Sequence, residues 1–184
     1  QYTIIPDQKG CAVDDAYLFR FVQSEFMLVI NAANTEKVLE YFGKFLPHYT
    51  GVELKDVTGE TAMISIQGPR SKEILQGLIG SGKLPEPLKN ALGSAELAEC
   101  PVDISRTGYT GEPLGFEIFV DASKALQIWE KLVERGAHPV GLGGRDTLRM
   151  EAGLPLYGHE MGKDPDGRDI PVFASPVARF AVSF

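Results

Sequence analysis

A chain of 184 residues, 43% hydrophobic and 23% charged, has room for one domain or two small interleaved subdomains around a real core. Its net charge of −7 argues against nucleic acid as the main partner, since phosphate binding needs a positive footprint. A small anionic ligand held by one or two local arginines stays open. No apolar run approaches the roughly 18 residues of a membrane span, and the N-terminus is no signal peptide. Cys11 and Cys100 are far apart and match no metal or redox spacing, so a reduced, cytoplasmic setting is expected. The chain begins QYTII without methionine, from which missing upstream sequence is expected.

In chain order, Gln1–Ile5 reads as a strand stopped by Pro6-Asp7 and a Lys9-Gly10 turn. Ala12–Phe21 continues as a strand carrying the pair Asp14-Asp15, and Phe26–Ile30 has β character. Asn31–Asn34 forms a polar turn in which Asn34 or Thr35 can cap a helix over about Glu36–Leu46, with Val38, Tyr41, Phe42 and Phe45 on one face. Val52–Val57 and Ala62–Gln67 read as strands joined at Thr58-Gly59-Glu60. Pro69 opens a helix near Ser71–Ile79 that Gly80 ends, and Ser81–Ala91 has room for one short helix. Strands are expected at Glu96–Cys100, Val102–Arg106 and Phe116–Val120. Asp121 caps a helix over Ala122–Glu134 with Ala125, Ile128, Trp129 and Leu132 as its buried stripe. A further helix spans about Gly143–Glu151, and after Gly153 a proline-containing tail reads as extended connector. The pattern is α+β, with duplicated strand–helix subdomains and mixed, mainly antiparallel sheets flanked by helices.

Three stretches can carry chemistry. SRTGYTGEPLGFEIFV, Ser105–Val120, presents Tyr109 from a glycine loop and then a strand on which Glu117 points opposite to Phe116 and Ile118. Residue chemistry alone leaves two readings: a tight hairpin with a surface glutamate, or a half-buried carboxylate that needs a partner because unpaired buried charge is costly. In the Asp14-Asp15 pair, strand alternation lets at most one acid look into a given cavity, where it can orient an amine or accept its proton; both acids can also be solvated. GLGGRDTLRMEAGLPLYG places Arg145 and Arg149 at i and i+4, with Asp146 three residues before Arg149. Such arginines capture a carboxylate or a planar edge, or bind internally to hold the helix, with Glu151 able to join the network. Asn31 either faces a heteroaromatic ring or satisfies its own turn. His48, His138 and His159 show no ligand spacing, so no metal site is expected, and no phosphate-loop or dinucleotide signature occurs.

Together, GCAVDDAYLFRF, MLVINAANTEK, ISIQGPRSKEIL, SRTGYTGEPLGFEI and GLGGRDTLRMEAGLPLYGHEM resemble the folate-binding family of aminomethyltransferases, the T-protein of the glycine cleavage system. Five blocks in order over about residues 1–162 carry the resemblance at family level. It implies tetrahydrofolate held in a central cavity between subdomains. It also implies transfer of a one-carbon unit from an aminomethyl-lipoyl carrier protein (H-protein) to tetrahydrofolate, with release of ammonia. By the resemblance Asp15 is the catalytic aspartate beside the reactive folate nitrogens. Glu117 reads the pterin, Arg145 is a second folate contact, and Asn31 and Tyr109 are polar positions around the pocket.

The resemblance divides the chain into a folate-binding region over residues 1–160, lacking its N-terminal segment, and an extended connector over residues 161–184 toward an absent C-terminal β-domain. The same framework is similar to folate-dependent demethylases and to a folate-binding protein without transferase activity that acts in iron–sulfur cluster repair; both stand as alternatives.

Overall fold

Tyr2–Pro6 (β1), Ala12–Val22 (β2) and Glu25–Ile30 (β3) form an antiparallel sheet in the order β1-β2-β3, in a computed structural model that describes residues 1–176 and 178–181. Helix α1, Thr35–Gly43, lays Val38 against Ile5 and Ala16, with Val13, Leu28, Ile30, Tyr41 and Phe42 packed around them. The helix ends earlier than its apolar pattern predicts. Phe45, beyond its end, meets the ring of Tyr41 edge-on at 5.1 Å between centroids. Neither Asn31 nor Asn34 caps through its side chain.

The chain divides into two compact units, Gln1–Leu54 with Pro155–Phe184, and Lys55–Leu154. The second unit holds a five-stranded antiparallel sheet in the order β4-β8-β7-β6-β5. Its strands are Thr61–Gln67 (β4), Ile79–Gly82 (β5), Leu92–Leu97 (β6), Cys100–Ser105 (β7) and Gly115–Asp121 (β8), with helix α2, Ser71–Gln76, after β4. Helix α3 is Ala125–Glu134 and α4 is Leu142–Glu151. Ile64, Ile66, Val102, Ile104, Phe116, Ile118 and Val120 make one face of the sheet, and Ile74 and Leu75 of α2 and Ile128 and Leu132 of α3 close over it. Full burial of each such side chain is worth roughly 1.5–3 kcal/mol, so this layer dominates the unit. Glu117 stands on the opposite face, as strand alternation dictates.

Several elements differ from expectation for identifiable reasons. Residues 52–57 form no strand: no neighbour pairs with them, and Val52 is 59% exposed. Residues 79 and 80, expected to close a helix, belong instead to β5, which pairs with β6. There Gly82 has φ +81°, and an added Cβ would stand 2.9 Å from Ala95 Cα, so glycine at this position permits close strand approach. The turn between β6 and β7 falls at Ala98 and Glu99, with φ of 48° and 65°. A type I′ hairpin needs positive φ at both places, and neither residue advertises it. Trp129 is 42% exposed, because it lies about 100° around the helix from Ile128, at the margin of the apolar stripe. Asp121 caps the 3₁₀ turn Ala122–Lys124 that leads into α3, its carboxylate accepting from Ser123 N at 2.8 Å.

The segment after Gly153 departs furthest from an extended connector. Cys11 bridges to Pro171, a 3₁₀ turn spans Val172–Ala174, and a short helix, α5, spans Ala178–Ala181. Met161, Val172, Ala178 and Ala181 are buried with Ile4 and Ala12. Ile4 and Ile5, consecutive in β1, thus serve opposite faces of one sheet. Apolar residues spread thinly between prolines give no periodic signal, yet burying them against β1 removes their surface from water. Residues 177 and 182–184 of the expected connector lie outside the described residues. The architecture is α+β, two antiparallel sheets with flanking helices.

Candidate functional site

The five sequence-derived candidates fall into two groups, one in each unit. In the first, β2 pairs with β3 so that Ala16 lies opposite Ile30, which brings residue 31 beside the two acids. Asp14 is fully buried and accepts from Asn31 N at 3.0 Å, Asn31 Nδ2 at 2.8 Å and Asn34 Nδ2 at 2.7 Å. Asp15 is half-buried and accepts from Asn31 Nδ2 at 2.8 Å and Tyr2 OH at 3.1 Å. One asparagine amide therefore places a hydrogen on each carboxylate, tying together two neighbours that point to opposite faces. Burial pushes the Asp15 carboxyl above its ordinary range; the Asn31 and Tyr2 hydrogen bonds pull the other way, and the Asp14 charge adds to the rise. Asp14 is saturated with donors and works as an anchor. Asp15 keeps acceptor capacity.

In the second unit Glu117 is flanked across the sheet by Ser65 of β4 and Ser105 of β7. Thr107 donates through Oγ1 to Glu117 Oε2, and Ser105 Oγ lies 2.5 Å from Thr107 Oγ1. Glu117 Oε1 accepts no protein hydrogen bond among the described residues. Burial raises the Glu117 carboxyl above its ordinary range, opposed by the Thr107 hydrogen bond and by the positive charge of Arg145. The Arg145 guanidinium sits over the ring of Tyr109, 4.6 Å from its centroid. Glu117, Arg145 and Tyr109 are thus one cluster of carboxylate, cation and aromatic plane.

Arg149 takes the internal role that one of the two arginines was expected to have. It is 1% exposed and donates from Nε to Asp146 at 2.7 Å and from Nη1 to Leu154 O at 3.2 Å. Glu151 is exposed. The loop glycines answer to a neighbour within the fold. A Cβ on Gly108 or Gly115 would stand 1.9 or 2.1 Å from Gln67 Oε1. Gln67 Nε2 in turn donates to Ser65 Oγ at 3.0 Å and Thr107 O at 3.3 Å. Gly108 and Gly115 therefore make room for Gln67, which ties the loop to β4.

Sequence reasoning missed Tyr2, Asn34, Ser105 and Thr107. For Ser105 a signal existed: by strand alternation it shares a face with Asp103 at the end of β7, beside the strand that carries Glu117. Nothing local marks Tyr2 or Asn34. Among the described residues, no group of three or more His, Cys, Asp or Glu side chains is placed to hold a metal, and no helix is long and apolar enough to cross a membrane.

Over residues 1–170 the chain matches the family described as GCVT N-terminal domain. An aminomethyltransferase of Thermus thermophilus is 43% identical over 164 residues, covering 89% of this chain and 46% of that protein. An aminomethyltransferase of Deinococcus deserti is 42% identical over 164 residues, covering 89% of this chain and 45% of its own length. Among solved structures, glycine cleavage system aminomethyltransferase T from Bartonella henselae is similar with a TM-score of 0.66 at 32% identity, over 88% of this chain and 42% of that one. The chain spans less than half the length of the curated relatives it matches.

Proposed function

The chain belongs to the GCVT N-terminal domain family, and from that premise we propose that the protein is a tetrahydrofolate-dependent aminomethyltransferase whose Asp15 and Glu117 handle the folate. The observation that carries this reading is the state of Glu117. It is a half-buried carboxylate with one oxygen held by Thr107, the other without a donor among the described residues, and an arginine on an aromatic platform close by. A carboxylate raised by burial, with a cation beside it, is the kind of group that acid–base and binding sites use.

The residue chemistry fits the ligand. A pterin edge offers adjacent N–H donors, and the lone pairs of Glu117 match them as a carboxylate matches an arginine. Arg145, fixed over Tyr109, supplies positive charge and a flat donor face on the same cluster. Bound tetrahydrofolate supplies the nitrogens that accept the one-carbon unit. In the overall exchange the transferred carbon gives up its bonds to sulfur and to ammonia nitrogen and gains two bonds to folate nitrogens. The two displaced folate protons balance the thiol and the ammonia. Asp15, held by Asn31 and Tyr2, orients the attacking amine and stabilises the cation formed as it attacks. Help of this kind is worth roughly 10²–10⁴-fold in rate. A lipoyl-bearing carrier protein is the partner such a reaction requires.

Titration calorimetry of the whole protein with tetrahydrofolate tests the reading. Saturable binding that is lost in Glu117→Ala is expected. No binding by the wild type, or binding that Glu117→Ala leaves untouched, overturns it.

A further inference from the structure

Glu117 is backed by two hydroxyls to which nothing in the preceding assignment gives a role. Ser105 is fully buried and Thr107 is 5% exposed, yet both point to the polar face of the sheet, where they meet the carboxylate. Their hydrogen bonds have a direction. An ionised carboxylate only accepts, so the single hydroxyl hydrogen of Thr107 goes to Glu117 Oε2. Ser105 then donates to Thr107 Oγ1. The reversed chain would have to run from a protonated Glu117 through Thr107 to Ser105, and end on Glu117 O at 3.5 Å, beyond ordinary hydrogen-bond length. Only at the carboxylate end does the chain find a good acceptor. The branched Thr107 side chain, stiff at χ1 and enclosed, fixes where Oγ1 stands, and the hydroxyl hydrogen turns to the acceptor.

We infer that Thr107, oriented by Ser105, is a positioning residue of the folate site: it pins Oε2 of Glu117 so that Oε1 is presented to an N–H edge of the ligand. The inference rests on the reading of Glu117 as a ligand group and adds what fixes its orientation. A ligand edge that offers hydrogen-bond donors is accepted by this arrangement. One that offers a carbonyl or carboxylate oxygen meets a carboxylate with no proton to give. The charged group acting on Glu117 is Arg145 from α4, and β4 and β7 place only Ser65 and Ser105 at the paired positions. The hydroxyl pair is therefore the part of the surroundings that sets orientation as distinct from charge.

Three variants of the whole protein test this: Thr107→Val, which keeps shape and loses the donor, Thr107→Ser, which restores the donor, and Ser105→Ala. Each is followed by tetrahydrofolate titration across pH and by the NMR titration of the Glu117 carboxyl in the free protein. Thr107→Val is expected to weaken binding by roughly 10–100-fold, the value of a hydrogen bond to a charged group. It should also move the Glu117 midpoint upward, since the lost donor favoured the ionised form. Thr107→Ser should return both readouts to within about threefold of wild type, the range within which context varies a single contact. Should Thr107→Val fail to fold, Ser105→Ala decides, with a smaller loss and a shift in the same direction. Wild-type binding and an unmoved Glu117 midpoint in whichever variant folds overturn the inference. So does a Thr107→Ser variant as weak as Thr107→Val, because packing would then be the cause. A wild type that binds no tetrahydrofolate overturns the functional reading instead, and the Glu117 titration still decides the positioning role.

Discussion

Arg145 is carried by an exposed helix yet is held in place by a ring from the loop before β8: its guanidinium lies 4.6 Å from the centroid of Tyr109. The loop that bears Tyr109 is fixed in turn by Gln67, which accepts from Thr110 Oγ1 at 3.3 Å and donates to Thr107 O at 3.3 Å. A flexible side chain thus becomes a directed one. If tetrahydrofolate meets this cluster, Tyr109→Phe keeps the platform and should leave affinity near wild type. Tyr109→Leu should weaken it by roughly 2–5-fold, the value of an exposed cation–π contact. Calorimetric titration of the pair gives the comparison, and equal affinity in both variants would remove the stacking from the argument.

Asp15 should separate binding from turnover. Asp15→Asn keeps an acceptor for Tyr2 and loses the charge. Steady-state kinetics should show a drop in kcat of roughly 10²–10⁴-fold, with tetrahydrofolate affinity within a few-fold of wild type. A kcat left unchanged would take Asp15 out of the chemistry.

Asp14 should act on stability instead. Asp14→Ala leaves three donors, Asn31 N, Asn31 Nδ2 and Asn34 Nδ2, facing a buried space with no acceptor. A loss of about 3 kcal/mol in urea denaturation is expected from orphaned buried donors. A loss under about 0.5 kcal/mol, the size of an ordinary surface substitution, would mean that the cluster relaxes freely.

The two raised carboxyls predict a pH-dependent stability difference. A carboxyl whose pKa rises on folding binds its proton more tightly in the folded state. Between the unfolded value, about 4 for Asp and Glu, and the raised folded value, stability therefore falls as pH rises. Glu117→Gln and Asp15→Asn escape this penalty. Their gain in melting temperature over wild type should be near zero below pH 4, grow through the raised range and then level off. At neutral pH each variant is expected to melt above wild type. Scanning calorimetry at stepped pH reads it, and a constant offset at every pH would contradict the assignment of the shifts.

Gln67 and the loop glycines should be coupled. Gly115→Ala places a methyl 2.1 Å from Gln67 Oε1 and should cost about 1–3 kcal/mol, as overpacking does. In a Gln67→Ala background most of that cost should vanish. A double-mutant cycle with an interaction below about 0.5 kcal/mol would show the two sites to be independent.

The five motif blocks and their resemblance name a family, and the family match agrees with it over residues 1–170. The strand at Phe116–Val120 was legible because Phe116, Ile118 and Val120 recur at the two-residue period of a sheet face. The same rule put Glu117 on the opposite face from Phe116 and Ile118, where it is found. The helix after Asp121 was legible for the same local reason, its apolar stripe, with Asp121 capping the 3₁₀ turn that leads into it.

What failed was decided by partners. Residues 79–82 became a strand because β6 lies beside them, and residues 52–57 did not because no strand among the described residues pairs with them. The tail after Gly153 is folded back because β1 offers Ile4 as a surface to cover.

By itself the sequence determined the family, the face on which Glu117 lies and the presence of two acids at positions 14 and 15. Each of these is written in types and spacings along the chain. Only the tertiary structure decided which acid is saturated and which keeps acceptor capacity, which arginine is structural and which stands over Tyr109, and what the glycines make room for. It also supplied Thr107 and Ser105 as the partners of Glu117. These depend on contacts between residues distant in sequence, and a hydrogen bond or a buried charge has no local pattern to announce it.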